Sequence, residues 1–216
     1  MVESDSIEAF VSAHTRIASP VLCPEILLHV ADDMESLWAH QESVVGRTGL
    51  PPPFWCLPWV GGQALARYTL DHPMLVRNQC VLDVGSGSGI CAIAAAKAGA
   101  HSVAAYDVDA FSRDVLVMNA RINHVHIDPL CDDVIGVSSR WDVVLVGDLW
   151  YERFLAQRLN AWLLEIARAG SLVLLGDCGR AYFPRQAATQ CEHYNIAASP
   201  FLERDATVST TVWRIH

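Results

Sequence analysis

A glycine-rich loop between an apolar segment and an alanine-rich one limits the folds open to this chain more than any other feature. Residues 79–84 form a short apolar run, the loop DVGSGSG covers 83–89, and alanine-rich residues follow it. A buried strand that passes through glycines into a helix presents backbone N–H groups at the positive end of that helix. The pattern predicts a βα unit with a ligand-binding turn. The residues expected to form that turn are Asp83, Gly85, Ser86, Gly87 and Gly89.

Strand-like and helix-like segments alternate along much of the chain. The predicted strands cover residues 79–84, 101–106, 130–137, 141–147 and 171–176, the third being the weakest. The predicted helices cover residues 61–70, 89–98, 109–122 and 154–169. Continuous apolar strands separated by helices predict a doubly wound α/β fold with a mostly parallel sheet. Residues 195–202 and 207–215 are strand-like with no helix between them, which favours an antiparallel hairpin at the C-terminal edge of the sheet.

The first fifty residues differ from the rest. Residues 5–17 carry apolar side chains on one helical face, and residues 24–45 have a weaker helical pattern with many acids. The segment PPPFWCLPW at 51–59 cannot form a regular helix, because proline fixes φ and lacks an N–H donor. We therefore expect residues 1–50 to form an N-terminal helical extension and residues 51–216 to form the main domain.

Composition narrows the classes of partner. The net charge is −9, which disfavours a large nucleic-acid footprint, since phosphate contacts depend on Lys and Arg. No apolar run reaches the roughly 18 residues of a membrane span. The seven cysteines form no C-x-x-C pair, and the histidines show no metal-ligand spacing. We expect a monomer with no nucleic-acid, membrane or metal partner, located in a bacterial cytoplasm or, in a eukaryote, the mitochondrial matrix.

An acid after the next strand indicates what the loop binds. Asp107 lies 22 residues after Gly85, where a carboxylate can accept both hydroxyls of a ribose. The dinucleotide fingerprint needs glycine at position 90, and Ile90 stands there, so a NAD-dependent dehydrogenase is disfavoured. The loop is therefore expected to hold another nucleoside-containing cofactor. Asp132 or Asp133, after the weak third strand, is expected to accept from the adenine amino group.

The strand at 141–147 ends in Asp148-Leu-Trp-Tyr151, at the edge of the sheet where ligands bind. Asp148 and Tyr151 are therefore candidates for the acceptor side of a reaction. The ordinary alternative is that Asp148 caps the following helix and Tyr151 only packs. The aromatic residues that could line an apolar slot beside them are Trp55, Trp59, Trp150 and Tyr151. Ordinary packing stays open for Trp59 and is favoured for Trp55, because aromatic residues beside prolines more often pack than contact a ligand.

Taken together, these motifs resemble a known family. The loop with its preceding acid is similar to motif I of the class I methyltransferases, and D-x-x-Y resembles the seven-strand protein lysine methyltransferases. The segments PEILLHV, PPPFWCLPWVGGQALARY, VLDVGSGSG, YDVDA, WDVVLVGDLWY, GDCGR and TVSTTVW look like the electron transfer flavoprotein beta-subunit lysine methyltransferases, over residues 24–215. One departure is Cys178, where that family often has proline.

The resemblance implies a Rossmann-like seven-stranded fold and S-adenosylmethionine as cofactor. It places Trp59, Gly85, Gly87 and Asp107 against the cofactor, with Asp148 and Tyr151 facing the acceptor lysine. The implied reaction is N-methylation of lysines on the electron transfer flavoprotein beta subunit.

Three other functions stay open at this point. One is methylation of a ribosomal protein. Another is methylation of a nicotinamide-like small molecule, which would need a closed acceptor pocket instead of an open groove. The third is a catalytically silent cofactor-binding module, which would need a damaged loop or no Asp148.

Overall fold

The computed structural model describes residues 4–138, 140–197 and 207–216. In these ranges the strands are β1 (Arg16–Ala18), β2 (Leu28–Val30), β3 (Cys80–Val84), β4 (Ser102–Asp107), β5 (Asp128–Cys131), β6 (Val143–Gly147), β7 (Leu172–Asp177), β8 (Ala188–Ala197) and β9 (Thr207–Ile215). The α-helices are α1 (Ser4–His14), α2 (Met34–Val45), α3 (Val60–Asp71), α4 (Ile90–Lys97), α5 (Ala110–Ile122) and α6 (Arg153–Arg168). None of these helices is long and apolar enough to cross a bilayer.

Seven strands form one sheet in the order β5-β4-β3-β6-β7-β9-β8. Five of them are parallel, while β9 runs antiparallel to both β7 and β8. The strand order reverses between β3 and β6, and an open α/β sheet binds its ligands outside the carboxyl ends of the strands at such a point. The structure thus confirms the doubly wound, mostly parallel sheet with an antiparallel C-terminal hairpin.

The core lies on both faces of this sheet. Along β3, Val81 belongs to the cluster under α3, α4 and α5, whereas its neighbour Leu82 belongs to the cluster under α6. Residues that alternate along a strand point to opposite faces, so both faces of β3 are apolar because both are covered by helices. Phe10 of α1 joins the first cluster and meets Phe111 of α5 edge-on, with ring centroids 6.0 Å apart. The domain boundary expected after residue 50 stays a prediction.

Four sequence-based element boundaries are wrong. The first helix ends at His14 instead of residue 17, because Arg16–Ala18 form β1. Helix α2 begins at Met34 instead of residue 24, because Asp33 caps it by accepting a hydrogen bond from Glu35 N. Residues 28–30, which were expected to be helical, form β2 and pair with β1. Strand β5 ends at Cys131 instead of near residue 137, because Asp133 accepts from Ile135 N and turns the chain. Strand β8 begins at Ala188, well before the expected residue 195, because it pairs with β9 as far as Ile215. Residues 198–202 of that prediction lie outside the described residues.

The first turn of α3 presses directly against the ends of β6 and β7. A methyl group added at Gly176 would overlap the carbonyl oxygen of Gly61, and one added at Gly147 would lie 3.0 Å from the Gly62 Cα. Glycines on both sides of the contact therefore let backbone meet backbone. This contact brings the segment before α3 to the edge of the sheet where ligands bind.

We predict that Gly176→Ala lowers the melting temperature strongly, because neither backbone can move away from the added methyl group. Overpacking of this kind costs about 3 kcal/mol or more, which corresponds to a fall of roughly 6–12 °C for a chain of this size. Gly170→Ala is the matched control. Gly170 precedes β7 and has a positive φ, but an added methyl group there would meet nothing within 4 Å. This variant should show less than half the fall in melting temperature. Equal melting temperatures in calorimetry would contradict the close backbone contact.

Candidate functional site

A cavity of about 470 Å³ opens at the carboxyl ends of the central parallel strands. Its walls come from the proline-rich segment before α3, the glycine loop after β3, and the residues that follow β4, β5 and β6. The volume lies within the range of small-molecule sites, about 300–1,000 Å³. The cavity coincides with the switch point of the sheet, so the fold and the loop indicate the same binding site.

The glycine loop is held against the end of β4. Gly85 N and Ser86 N both donate to the carbonyl oxygen of Tyr106, at 2.8 and 3.1 Å. Gly85, Gly87 and Gly89 all have positive φ. At Gly85, an added methyl group would also lie 2.6 Å from the side chain of Leu149. The loop can therefore adopt this conformation and approach the residues after β6 only with glycine at position 85.

Asp83 supports the loop from beneath. Its side chain is buried and accepts a hydrogen bond from Ala92 N in the first turn of α4, at 3.0 Å. Burial raises the pKa of this carboxyl to about 7, and the nearby Asp107 adds to the shift. Asp83 does border the cavity, but this geometry assigns it to orienting the turn between β3 and α4.

Asp107 joins the loop to the end of β4. Its Oδ2 accepts from Gly87 N at 2.8 Å, and its Oδ1 accepts from Asp109 N at 2.9 Å. The carboxylate, which also receives a side-chain hydrogen bond from Ser112, borders the cavity, where a pair of ribose hydroxyls can reach it. Burial raises the pKa of Asp107, and the hydrogen bonds from Asp109 and Gly87 oppose that shift. The position is the one expected from the sequence.

The structure separates the two candidates for the adenine amino group, although both border the cavity. Asp133 already accepts from Ile135 N and forms an ion pair with Arg158 at 2.7 Å. Asp132 accepts from Asp133 N through Oδ1 only, and its Oδ2 has no hydrogen bond within the described part of the chain. Asp132 is therefore the better placed acceptor for an exocyclic amine.

Aromatic side chains form the opposite rim. Trp59 donates from Nε1 to the Phe54 carbonyl at 2.8 Å, and the Phe54 ring lies 5.9 Å from Trp59 and 5.5 Å from Tyr151. Phe54 and Tyr151 are 38% and 49% exposed, so the rim is open to an incoming chain. Phe54 was not among the sequence-based candidates, although the adjacent prolines marked its segment as extended.

Two of the tryptophans that could line the slot are packed in the core, as the sequence favoured for Trp55 but not for Trp150. Trp55 is fully buried and stacks on Phe111 under the proline-rich segment. Trp150 is also fully buried, with its Nε1 donating to Asn160 of α6 at 2.7 Å. A 3-10 turn over Phe54–Cys56 points consecutive side chains in different directions, which a sequence pattern does not reveal.

Asp148 caps a helix, but not the one that follows it. Helix α6 is capped by Glu152, whereas the Oδ2 of Asp148 accepts from Gly62 N at the start of α3, at 3.1 Å. Its own N–H donates to Gly176 O, and its backbone has a φ of +58°. Asp148 is 6% exposed, and burial raises the pKa of its carboxyl to about 6, with Arg180 opposing the shift.

Arg180 is a site residue that the sequence analysis did not single out. Its Nε lies 3.3 Å from Asp148 Oδ1, and its guanidinium lies 5.9 Å from the centre of the Trp59 ring. The GDCGR segment that contains it was part of the family resemblance, which was the available signal. Arg180 joins the aromatic rim to the buried carboxylate.

The charges around the cavity fit a cationic ligand. Acidic side chains in the wall outnumber basic ones: the acids are Asp83, Asp107, Asp109, Asp132, Asp133 and Asp148, and the bases are Arg158 and Arg180. Both arginines already pair with carboxylates of the wall. A diphosphate would be repelled here, whereas a sulfonium nucleoside with an α-amino group would be attracted. Among the described residues, no group of three or more His, Cys, Asp or Glu side chains is arranged to hold a metal ion.

Comparison with known proteins identifies the family. The model of the ribosomal protein L11 methyltransferases matches residues 63–147. The electron transfer flavoprotein beta subunit lysine methyltransferase of Danio rerio is 35% identical over 98% of this chain and 84% of its own length. The protein of the same name from Homo sapiens is 33% identical over 96% and 81%. This chain belongs to the electron transfer flavoprotein beta subunit lysine methyltransferase family.

A solved structure agrees with this fold. The magnesium protoporphyrin IX methyltransferase of Synechocystis PCC 6803, crystallised with S-adenosylmethionine, has a TM-score of 0.52 at 12% identity, over 72% of this chain and 78% of that one. As a member of the family, the protein is an S-adenosylmethionine-dependent methyltransferase. When bound, the cofactor supplies an electrophilic methyl group on its sulfonium.

Different residues of the chain would hold the cofactor and the acceptor. The glycine loop and Asp107 would hold the nucleoside, and Asp132 would meet the adenine. On the other side, Trp59 and Tyr151 would exclude water, and Asp148 would lie beneath the acceptor atom. The donor and acceptor halves meet at Leu149, which contacts the loop at Gly85.

We predict that Asp107→Asn weakens S-adenosylmethionine binding in calorimetry roughly 10- to 100-fold. The amide keeps the shape but loses the charge, and a hydrogen bond to a charged group contributes about 1.5–3 kcal/mol. Asp128→Asn removes the same charge from β5, where Asp128 is exposed and only pairs with His126, and should leave binding unchanged. Unchanged binding in the Asp107 variant would remove this residue from the cofactor site.

Proposed function

We propose that this protein transfers methyl groups from S-adenosylmethionine to lysine side chains of the electron transfer flavoprotein beta subunit. The near full-length similarity to proteins named for that activity carries the proposal. An open aromatic rim above a buried carboxylate supports it, because a lysine on a folded protein must be able to enter from outside.

The chemistry requires a neutral amine. A free lysine has a pKa near 10.4, so reaching the neutral form at pH 7 costs about 4.6 kcal/mol at roughly 1.36 kcal/mol per unit. The rings of Phe54, Trp59 and Tyr151 offer an apolar passage, and desolvation there lowers the pKa of the amine. The carboxylate of Asp148 can then accept an N–H and direct the lone pair of the amine toward the methyl group.

The surface around the mouth favours a protein acceptor over a nicotinamide-like molecule. Val108, in the cavity wall after β4, is 75% exposed, and Phe154, which precedes the wall residue Leu155 at the start of α6, is 73% exposed. Exposed apolar side chains beside a cavity mouth are typical of protein contact sites. A small heterocycle would gain nothing from them and would instead need an enclosed pocket.

A ribosomal protein is the weaker alternative substrate. The match to the L11 methyltransferase model ends at residue 147, so it covers the cofactor loop and Asp107. It leaves out Asp148, Tyr151 and Arg180, which form the acceptor side. That similarity therefore supports the cofactor half of the proposal and does not define an acceptor.

The compartment is a further part of the proposal. The seven cysteines are all free, and four of them are at least partly exposed. Free thiols persist in reducing compartments, which supports a bacterial cytoplasm or a mitochondrial matrix. The monomeric state stays a prediction.

The direct test is incubation of the protein with labelled S-adenosylmethionine and purified electron transfer flavoprotein, followed by mass spectrometry. We expect one or more methyl groups on lysines of the beta subunit, and none on ribosomal protein L11 supplied at the same concentration. Label on L11 alone, or only on small molecules of a lysate, would overturn the proposed substrate.

We predict that the rate depends on pH in two steps. Burial raises the pKa of Asp148 to about 6, so the carboxylate is lost as pH falls through that value. Above about pH 6 Asp148 stays ionised and the neutral fraction of the lysine sets the slope, so log kcat/KM should rise with a slope of about one; below it the slope should approach two.

Asp148→Asn is the matching variant for this prediction. It should keep a slope of about one throughout and lose roughly 100-fold in rate, because the amine is no longer aligned. Cofactor affinity should stay within about tenfold, since a buried charge is replaced by an amide of the same shape. A variant that retains the steeper acid limb would show that another group titrates.

A further inference from the structure

Arg180 lies between two buried carboxylates. Its Nε is 3.3 Å from Asp148 Oδ1 and 4.0 Å from Asp177 Oδ2. The first distance exceeds the usual range of a hydrogen bond, about 2.7–3.2 Å, and the second is not a hydrogen bond. The guanidinium is therefore held loosely by Asp148. A movement of about 1 Å would bring it within hydrogen-bond distance of Asp177.

Asp177 has an oxygen without a hydrogen bond. Its Oδ1 accepts from Gly179 N at 2.6 Å and from Arg180 N at 2.7 Å, which fixes the carboxylate in one orientation. Its Oδ2 is buried and has no hydrogen-bond partner within the described residues. A buried acceptor left without a donor is unfavourable, and the Nε of Arg180 is a side-chain donor 4.0 Å away.

The present contacts of Arg180 are those that an acceptor lysine would make. A carboxylate at one side and the face of a tryptophan at the other form a recognition site for an ammonium group. The guanidinium of Arg180 fills that space between Asp148 and Trp59, and Arg180 is part of the cavity wall. An incoming lysine and Arg180 therefore compete for the same oxygen.

We infer that Arg180 is a movable occupant of the acceptor slot, which yields Asp148 to the substrate lysine and turns to Asp177. This inference rests on the proposed function only in taking the acceptor to be a lysine. In the resting enzyme the guanidinium neutralises Asp148, and a buried carboxylate is not left unpaired. When lysine enters, Asp177 Oδ2 gains the donor that it lacks.

The exchange also leaves a cation close to the amine. Arginine stays protonated under all working conditions, so after the turn a permanent cation remains close to the slot. A nearby like charge lowers the pKa of an amine. Arg180 is thus a positioning residue that clears the slot and then offsets part of the effect of the Asp148 carboxylate, which raises the pKa of the amine.

The test is a double-mutant cycle on binding of N-acetyl-lysine methylamide, measured by calorimetry with S-adenosylhomocysteine bound to the full chain. Arg180→Ala removes the occupant and should tighten binding about tenfold, if the slot is free about one-tenth of the time in the native protein. Asp177→Asn keeps the shape and the Oδ1 contacts but removes the second acceptor, and should weaken binding several-fold. In the Arg180→Ala background, Asp177→Asn should have no effect.

Two further variants serve as controls for misfolding and for the loss of an arginine elsewhere. Arg180→Gln gives a neutral side chain of similar length if the alanine variant does not fold, and it should also bind the probe more tightly. Arg153→Ala removes an exposed arginine at the start of α6 and should change nothing. Weaker probe binding on loss of Arg180, or an equal effect of Asp177→Asn in both backgrounds, would overturn the exchange. The cycle does not require a protein substrate. It therefore tests the role of Arg180 even if the electron transfer flavoprotein is not methylated.

Discussion

The contact between the start of α3 and the ends of β6 and β7 is the constraint on which the site depends. It is a backbone contact, made by Gly61 and Gly62 on one side and Gly147 and Gly176 on the other. Asp148 follows the last residue of β6 and caps α3 through Gly62 N, so it is buried by the same contact. The carboxylate on the acceptor side therefore owes its place and its raised pKa to the packing of a helix that precedes the whole parallel sheet in the chain.

The donor side could be derived from the sequence in physical terms. Strand, glycine loop and helix are adjacent in the chain, and Asp107 ends the next strand, so their meeting follows from the rules of parallel sheets. The apolar runs of β3 and β6 likewise fixed their place in the centre. Local sequence decides these features because every contact involved lies within one βα unit or between adjacent strands.

The acceptor side could be derived only in part. Asp148 and Tyr151 were found because they follow a predicted central strand. That Asp148 caps α3 depends on a contact between residues 86 positions apart, which no local pattern shows. The same holds for Trp55 and Trp59, which are four residues apart, the first within a 3-10 turn and in the core, the second after the turn and on the rim. Arg180 was missed because its role depends on two carboxylates from different strands.

The charge of the cavity connects the two halves. A cationic methyl donor and a protonated lysine are both attracted by an acidic wall, yet the reaction requires that one of them become neutral. Acids on the donor side are held by backbone N–H groups at the loop and at α5, which fixes Asp107 and Asp109 in the cavity wall. On the acceptor side the carboxylate of Asp148 faces the guanidinium of Arg180. Negative charge is thus concentrated where the donor must be retained and is offset where the acceptor must lose its proton.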